Sequence, residues 1–316
     1  MKRFFIYAIS IMAFAVIFTS CTSEENQSFE QQSATTLFTD SKLLQDLTNF
    51  NDSLLATSPN TRLSLPRWAR IAWADIKGAV AGGKGGAYIG GKIGLFLGSP
   101  HTGAVFGAAV GAIAVGGGSS LAKSRATRAV SNYDLTYKQA VQICCHTLNE
   151  DLSINTNKIT MSPVASRKID INDNIISNIS LTPEQLNIGR MHNVILSVAD
   201  GSATIDESNT TLYSDTLYTA IINSDEMNEL YDETIVDAIN EEQPPIDTKA
   251  DYALKLFEEV FMQYAKDTTD AAYIINEYSK VINASDELSD EEKSWIMGGL
   301  STALYSCNYW TITLDE

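Results

Sequence analysis

Apolar side chains recur every three or four positions along most of the chain after residue 37, which is the pattern of amphipathic α-helices. Helix-capping residues mark three of the predicted starts: Asp40, Thr182 with Gln185, and Ser289 with Glu292. Residues 149–180 show no sustained period, so we predict a long loop or short extended pieces there. The predicted helices span residues 38–56, 134–152, 182–199, 212–222, 225–240, 250–266, 270–283 and 289–309. The pattern therefore predicts an all-α domain over residues 38–316.

A stricter period of small residues runs from residue 78 to residue 118. Each glycine inside a helix costs about 1 kcal/mol relative to alanine, but a continuous glycine stripe lets a second helix backbone approach closely. We therefore predict an antiparallel helical hairpin over residues 74–123, with arms 74–97 and 102–123 joined by a turn at 98–101, docked on or beside the helical body. Glycine occupies every fourth position in two runs, and these are the predicted helix-packing residues: Gly78, Gly82, Gly86, Gly90, Gly94 and Gly98, then Gly103, Gly107 and Gly111.

This segment resembles a glycine zipper, the small-residue hairpin of several bacterial envelope lipoproteins and of pore-forming peptide bacteriocins. The resemblance implies close helix packing, but it does not choose among soluble hairpins, membrane hairpins and oligomeric pores. The second arm has an uncharged stretch at residues 103–118, short of the roughly 20 residues that span a bilayer. Lys84 and Lys92 in the first arm are costly at bilayer depth. A stable two-span insertion is therefore disfavoured, while shallow or transient insertion stays open.

The first twenty residues have the layout of a secretory signal peptide. Lys2 and Arg3 precede an apolar run at residues 4–18, and two small residues stand directly before Cys21. This ending resembles the lipobox of bacterial lipoproteins, although Phe18 stands where leucine is usual. The resemblance implies a signal peptide at residues 1–20 and a lipidated, palmitate-bearing Cys21 at the mature N-terminus. The alternative is a plain secretory signal, in which Cys21 is an ordinary thiol.

The residues that follow Cys21 are polar. Thr22-Ser23-Glu24-Glu25 resembles the acidic export signal that Bacteroidota place after the lipidated cysteine, which implies an outer-membrane lipoprotein exposed at the cell surface. Residues 22–37 are rich in Ser, Thr, Gln and Glu, with too few apolar side chains to offset the entropy of ordering. We therefore predict a flexible tether over residues 21–37.

Charge is distributed very unevenly along the chain. The net charge of −17 argues against a nucleic-acid partner, because binding phosphates requires concentrated Lys and Arg. Residues 62–128 nevertheless contain nine basic residues and one acidic residue, whereas residues 191–248 contain thirteen acidic residues and no basic ones. Either the acidic body neutralises the hairpin, which we favour, or the hairpin is attracted to anionic lipid or lipopolysaccharide, with Trp68 and Trp73 as interfacial anchors.

Residues suited to catalysis are sparse, and we assign no catalytic residue. His192 and Asn193 resemble a base and its orienting group, but no nucleophile or carboxylate lies at a helical neighbour position of the histidine, so we expect both side chains to satisfy buried polar groups. The aromatic cluster Tyr305, Tyr309 and Trp310 has helical spacing and is predicted to lie in the core rather than to bind carbohydrate.

The cysteines beyond Cys21 are Cys144, Cys145 and Cys307. A disulfide bond between Cys307 and one of the other two is one interpretation, and three buried thiols is the other. Although His146 follows Cys145, neighbouring helical residues point about 100° apart, so we predict no zinc site, and no cofactor.

Taken together, these features resemble uncharacterised lipoproteins of gut Bacteroidota, which implies a location but no activity. We expect a non-enzymatic outer-membrane or cell-surface lipoprotein whose hairpin serves helix packing or partner binding. Its expected partners are the membrane, through the lipid anchor, and a protein or anionic envelope lipid. The alternative is a membrane-active protein, bacteriocin-like or pore-forming, that uses the cationic hairpin. A hydrolase based on His192 is the third hypothesis.

Overall fold

The computed structural model of this 316-residue chain describes residue 38 and residues 40–57, 66–129, 134–149, 151–208, 215–241 and 245–315. Ser41–Glu316 forms one compact unit. The predicted signal peptide, the lipidated Cys21 and the tether of residues 21–37 lie outside the described residues.

Helices account for most of the described chain, and the predicted all-α class is confirmed. Two three-residue strands, β1 (Ile159–Met161) and β2 (Ala203–Ile205), pair antiparallel. The helices are α1 (Lys42–Thr57), α2 (Arg67–Leu97), α3 (Pro100–Ala126), α4 (Tyr137–Thr147), α5 (Pro163–Ile169), α6 (Asp173–Ile176), α7 (Pro183–Ala199), α8 (Asp215–Ile222), α9 (Asp225–Asn240), α10 (Lys249–Tyr264), α11 (Thr268–Ala284) and α12 (Asp290–Asp315).

Local hydrogen bonds account for where the helices begin. The capping box predicted at Thr182 and Gln185 is present, and Ser289 and Glu292 make the same reciprocal pair of bonds. The prediction of Asp40 as a cap was wrong, because α1 begins at Lys42 and the hydroxyl of Ser41 accepts from the backbone N–H of Leu44 at 3.2 Å.

The segment at residues 149–180 is more regular than its sequence indicates. It contains a 3₁₀ turn at Thr156–Lys158, strand β1 and the short helices α5 and α6. Ser162 caps α5 by accepting from the backbone N–H of Ala165 at 3.1 Å. These elements are three to seven residues long, which is too short for a hydrophobic period to be recognised.

The glycine segment folds as an antiparallel hairpin, with arms longer and a turn shorter than predicted. The arms are α2 and α3, and the connection is Gly98 and Ser99 alone. Gly98 has a φ of 76°, the left-handed conformation that ends a helix, and the N–H of Ser99 donates to the Gly94 carbonyl at 2.8 Å. Pro100 begins α3 rather than continuing the turn, because its fixed φ and missing N–H suit the first helical position.

The expectation that the whole hairpin docks on or beside the body was wrong for the second arm. Helix α3 is buried continuously from Phe106 to Ser124 and packs against α2, α4, α7, α9 and α12. Its Val110, Ile113 and Leu121 belong to the main hydrophobic core. The second arm is therefore the centre of the fold.

Candidate functional site

In the middle of the hairpin, the contact between α2 and α3 is made mainly by backbone atoms. A methyl group placed on Gly86 would overlap the carbonyl oxygen of Gly107, and a methyl group on Gly107 would overlap the carbonyl oxygen of Gly86. Such an approach brings Cα–H groups against carbonyl oxygens, a weak hydrogen-bonding geometry that recurs in close helix pairs. Three glycine pairs make this reciprocal contact: Gly82 with Gly111, Gly86 with Gly107, and Gly90 with Gly103.

The two ends of the glycine stripe differ from its middle. A methyl group on Gly78 would lie 2.5 Å from the hydroxyl oxygen of Ser119, and one on Gly94 would lie 2.6 Å from the carbonyl oxygen of Ser99. Gly98 has open space around the position of a side chain, so its assignment as a packing residue was wrong. Glycine is favoured at this position because the backbone there is left-handed. The structure thus places eight of the nine predicted glycines in the hairpin contact.

Further glycines, outside the predicted set, bring other helices close. Gly118 lies against the ring of Tyr231 on α9, and Gly189 on α7 lies against the carbonyl of Ser301 on α12. A methyl group on Gly299 would lie 2.8 Å from a methyl group of Val80. A glycine inside a helical pattern can mark a close contact between helices, but none of these three falls on the four-residue period of the hairpin.

A cluster of polar side chains lies at the centre of the molecule, where α2, α3, α7 and α12 meet. The Asp75 carboxylate accepts from the hydroxyl of Ser306 and, at 3.1 Å, from the indole N–H of Trp310. The same indole N–H lies 2.9 Å from the hydroxyl oxygen of Ser120. Nε2 of His192 lies 3.5 Å from the other carboxylate oxygen of Asp75, and both side chains are 0% exposed. No carboxylate lies at a helical neighbour position of His192 in the sequence, and the structure supplies one from the hairpin.

Asn193 continues this cluster toward α5 and α12. Its amide nitrogen donates to the carbonyls of Lys168 and Tyr305, each at 2.7 Å, and its oxygen lies 3.1 Å from Nδ1 of His192. The prediction that these side chains satisfy buried polar groups is confirmed for Asn193, whereas Nε2 of His192 has no hydrogen-bond partner among the described residues. In a serine hydrolase the nucleophilic hydroxyl bonds to an imidazole, whereas here the Ser306 hydroxyl donates to the carboxylate.

The aromatic cluster near the C-terminus is buried, as predicted. Tyr305, Tyr309 and Trp310 are each at most 2% exposed. The Tyr309 hydroxyl donates to Asp200 at 2.6 Å, and Asp200 forms a buried ion pair with Lys168 at 3.2 Å. Burial raises the pKa of Tyr305 to about 12. These rings have no open face for stacking on a sugar.

A groove of about 630 Å³ runs beside the first arm of the hairpin, between α2, α9 and α10. Burial lowers the pKa of Lys77 in its wall, and the nearby Glu258 carboxylate acts in the opposite direction. Most of the exposed wall area is apolar, provided by Trp73, Ile76, Val80, Ala81, Ala238, Pro245, Ile246, Leu254 and Met262. Polar and charged groups border it: Lys77, Lys84, Thr234, Asp237, Asp251, Lys255, Glu258, Glu259 and Gln263.

Basic residues of the hairpin pair with acidic residues of the body. The ammonium of Lys84 lies 2.5 Å from Asp251 and also over the ring of Trp295. Lys123, nearly buried, bonds to Glu241 at 2.7 Å. The interpretation that the acidic body neutralises the hairpin is confirmed for these two cations.

The two tryptophans that precede the glycine stripe are packed into the body. Trp73 is buried, and Trp68 makes an edge-to-face contact with Phe261 at a centroid distance of 6.2 Å. The interpretation of these residues as interfacial anchors was wrong for Trp73, which tertiary packing covers, and Trp68 is partly buried against the body.

The free end of the hairpin is apolar and exposed. Phe96 is 92% exposed, Leu95 68% and Tyr88 59%. The ammonium of Lys92 lies 3.9 Å from the ring centroid of Tyr88. We call the side chains of Tyr88, Leu95 and Phe96 the tip patch.

Cys144, Cys145 and Cys307 are buried thiols in the structure. Burial raises the pKa of each of them. Within the described ranges, no group of three or more His, Cys, Asp or Glu side chains is arranged to hold a metal ion.

By length and composition, one helix in the described part of the chain could span a membrane: α3 (Pro100–Ala126). In the structure, 89% of its most apolar 18-residue window is buried inside the protein. Buried core helices of soluble proteins meet the same criteria.

Comparison with known proteins gives no relative from which a function can be transferred. No protein-family model, curated protein or solved structure matches the chain.

Proposed function

We propose that this protein is a non-enzymatic binding lipoprotein, attached to the outer membrane through Cys21 and exposed at the cell surface. In this proposal the glycine hairpin is the packing core of the domain, and the groove between α2, α9 and α10 is the ligand site. The groove is the observation that carries the binding role, because concave, mostly apolar sites bordered by a few polar groups are where proteins bind small molecules.

The packing role of the hairpin is supported by the position of α3. Its apolar residues face other helices of the domain, and the Gly86 to Gly107 contact leaves no space between the two arms. Taking α3 out of the body would expose the core that it forms with α4, α7 and α9. This accounts for the apolar, uncharged stretch at residues 103–118 of α3 without requiring a bilayer.

A non-enzymatic role is supported by the surroundings of His192. The imidazole is 0% exposed and is held between Asp75 and Asn193. General acid–base catalysis requires the base to come within hydrogen-bonding reach of a substrate proton, directly or through one water molecule. A ligand in the groove meets Lys77, Asp237 and Glu258 rather than this imidazole.

The composition of the groove defines the class of ligand. The apolar wall suits an aliphatic or aromatic body, and the surrounding Lys, Asp and Glu side chains suit a polar or charged end group. The volume of about 630 Å³ lies within the usual range for small-molecule sites, about 300–1,000 Å³. We therefore propose a small amphipathic molecule as the ligand.

Binding in the groove is tested with an anilinonaphthalene sulfonate dye as the probe. Ala81 lines the groove, so we expect Ala81→Phe to weaken dye binding about tenfold or more by occupying the space. Ala56, exposed near the end of α1, is the matched control, and Ala56→Phe should leave dye affinity unchanged. Urea unfolding of both variants separates a filled groove from a damaged fold. Equal dye affinity in folded Ala81→Phe and wild type would refute the groove as the site.

Lipid attachment is tested in cells by metabolic labelling with a palmitate analogue. The wild-type protein should carry the label and fractionate with the outer membrane, and Cys21→Ser should lose both properties. Cys144→Ala removes a buried cysteine and is the matched control that should keep the label. Protease treatment of intact cells then tests surface exposure. Label retained by Cys21→Ser would refute lipidation at this residue.

Membrane activity is the second candidate, and the length and apolar composition of α3 are the observation in its favour. It requires the hairpin to leave the body, which separates α3 from α7, α9 and α12. Residues 22–316, which lack the site of lipid attachment, should release dye from anionic vesicles under this candidate and should not under the packing role. Replacing residues 78–118 by a short linker should abolish such leakage under the second candidate, and should unfold the domain under the first.

A further inference from the structure

The tip patch is a concentration of exposed apolar side chains on an otherwise packed hairpin. Three of the seven large apolar side chains that are exposed in the described chain are Tyr88, Leu95 and Phe96. They lie within the last ten residues of α2, ahead of the Gly98–Ser99 turn. Single exposed apolar residues are common on protein surfaces, but a cluster of them marks a surface that contacts something else.

The charge around the tip differs from that of the rest of the molecule. The sequence has no Asp or Glu from residue 76 to residue 133, whereas the whole chain carries −17. Lys92 is exposed beside Tyr88, and His101 is exposed next to the turn. An anionic surface would repel the acidic body, whereas the end of the hairpin itself contributes only neutral or basic side chains. The tip is therefore the part of the protein that can approach an anionic surface with the least electrostatic repulsion.

The hairpin also keeps its shape up to the turn. The Gly90–Gly103 contact joins the two backbones near the tip, and Gly94 packs against the Ser99 carbonyl where the chain reverses. A two-residue turn makes the tip narrow, and the last ten residues of α2 carry exposed aromatic, aliphatic and cationic side chains. Side chains of this kind are enriched where proteins meet the interfacial region of a bilayer.

We propose that the tip patch docks into the headgroup region of an anionic bilayer while the hairpin stays folded and α3 stays within the body. Leu95 and Phe96 enter the interface, Tyr88 lies at the headgroup level, and Lys92 contacts the anionic headgroups. The proposal does not depend on lipid attachment at Cys21 or on a ligand in the groove. It assigns the tip a role in orienting the body at the membrane surface.

The experiment is co-sedimentation of residues 22–316 with vesicles. This chain retains the compact unit Ser41–Glu316 and lacks the site of lipid attachment, so any binding comes from the protein surface. One set of vesicles contains phosphatidylglycerol and phosphatidylethanolamine, and the other contains phosphatidylcholine alone. We expect binding to the anionic vesicles, with an affinity at least about tenfold higher than for phosphatidylcholine.

The variants compare the tip with exposed apolar residues elsewhere. Leu95→Ser with Phe96→Ser should weaken binding to anionic vesicles about tenfold or more, because burial of two large apolar side chains is lost. Val236→Ser with Ile239→Ser is the matched control on α9, where both side chains are exposed among acidic residues, and its binding should be unchanged. Lys92→Glu should weaken binding to the anionic vesicles and leave phosphatidylcholine unaffected. All the substituted residues are exposed, and circular dichroism verifies that the variants fold.

Several outcomes would overturn the proposal. Equal binding by the wild type and the tip double variant would remove the tip from the contact. Binding accompanied by release of an encapsulated dye would mean that the hairpin inserts rather than docks. A wild-type dimer in solution that the tip double variant loses, without vesicle binding, would identify a second copy of this chain as the occupant. Failure of groove binding or of palmitate labelling would leave this result untouched, because neither enters the experiment.

Discussion

Replacing Gly86 by alanine tests the backbone contact at the centre of the hairpin. In an ordinary helix this substitution is stabilising, because glycine costs about 1 kcal/mol relative to alanine in a helix interior. Here the added methyl group overlaps the carbonyl oxygen of Gly107 and lies 2.7 Å from its carbonyl carbon. Both atoms belong to the backbone of the opposite arm, so no side-chain rotation relieves the overlap, and the arms have to separate.

The size of the effect follows from these two opposing terms. Overpacking of a tight interior costs about 1–3 kcal/mol, and a clash of backbone with backbone belongs at the upper end of that range. Subtracting the gain in helix propensity leaves a net loss of about 2 kcal/mol in the free energy of unfolding. Separation of the arms would also weaken the neighbouring Gly82 and Gly90 contacts, so this loss is a lower estimate.

Gly91→Ala is the control, on the same helix and five residues further along. There the added methyl group would lie 3.6 Å from the Cβ of Ala104, an ordinary contact. We expect this variant to gain about 0.5–1 kcal/mol. Urea unfolding followed by far-ultraviolet circular dichroism measures both changes. If the two variants shift the urea midpoint in the same direction by similar amounts, the backbone contact does not stabilise the fold as described.

Other predictions concern buried and bridging groups. Asp75→Ala removes the carboxylate that faces His192, so the imidazole loses its partner and the groups that donate to the carboxylate lose their acceptor. We expect urea unfolding to show a loss of about 3–5 kcal/mol in the free energy of unfolding, and a loss below about 1 kcal/mol would contradict this prediction. Bonds from Lys249 and from the backbone N–H of Leu43 lower the pKa of Glu287 to about 2, so its stabilisation is complete above its ordinary pKa of 4.5 and is lost as the pH falls from there toward 2. Unfolding measured against pH should therefore show a shallower acid loss for Glu287→Gln than for the wild type. A thiol reagent should react slowly with the native protein, because its thiols are buried, and should modify all three of them once the protein is unfolded in urea. Fewer than three reactive thiols in urea would indicate a disulfide bond among Cys144, Cys145 and Cys307.

The sequence by itself determined the local features of this protein. The spacing of apolar residues predicted most of the helices, and the Thr182 and Ser289 signals located two helix starts, because capping depends on residues three positions apart. The glycine period predicted a hairpin and eight of its contact residues, because a period of four places side chains on one face of a helix. Gly98 was misassigned because it continues the same period, although its backbone makes the turn.

Only the tertiary structure decided what the hairpin faces. An apolar helix such as α3 suits a membrane or a protein core equally well by composition, and packing of α4, α7 and α9 around it placed it in the core. Tertiary packing also buried Trp73, partly buried Trp68, and left Leu95 and Phe96 exposed. Local sequence pattern could not identify the group that faces His192 either, because Asp75 is distant in the chain and the two side chains meet only in the folded domain. Local propensities act over a few residues, whereas burial and charge pairing depend on which elements meet.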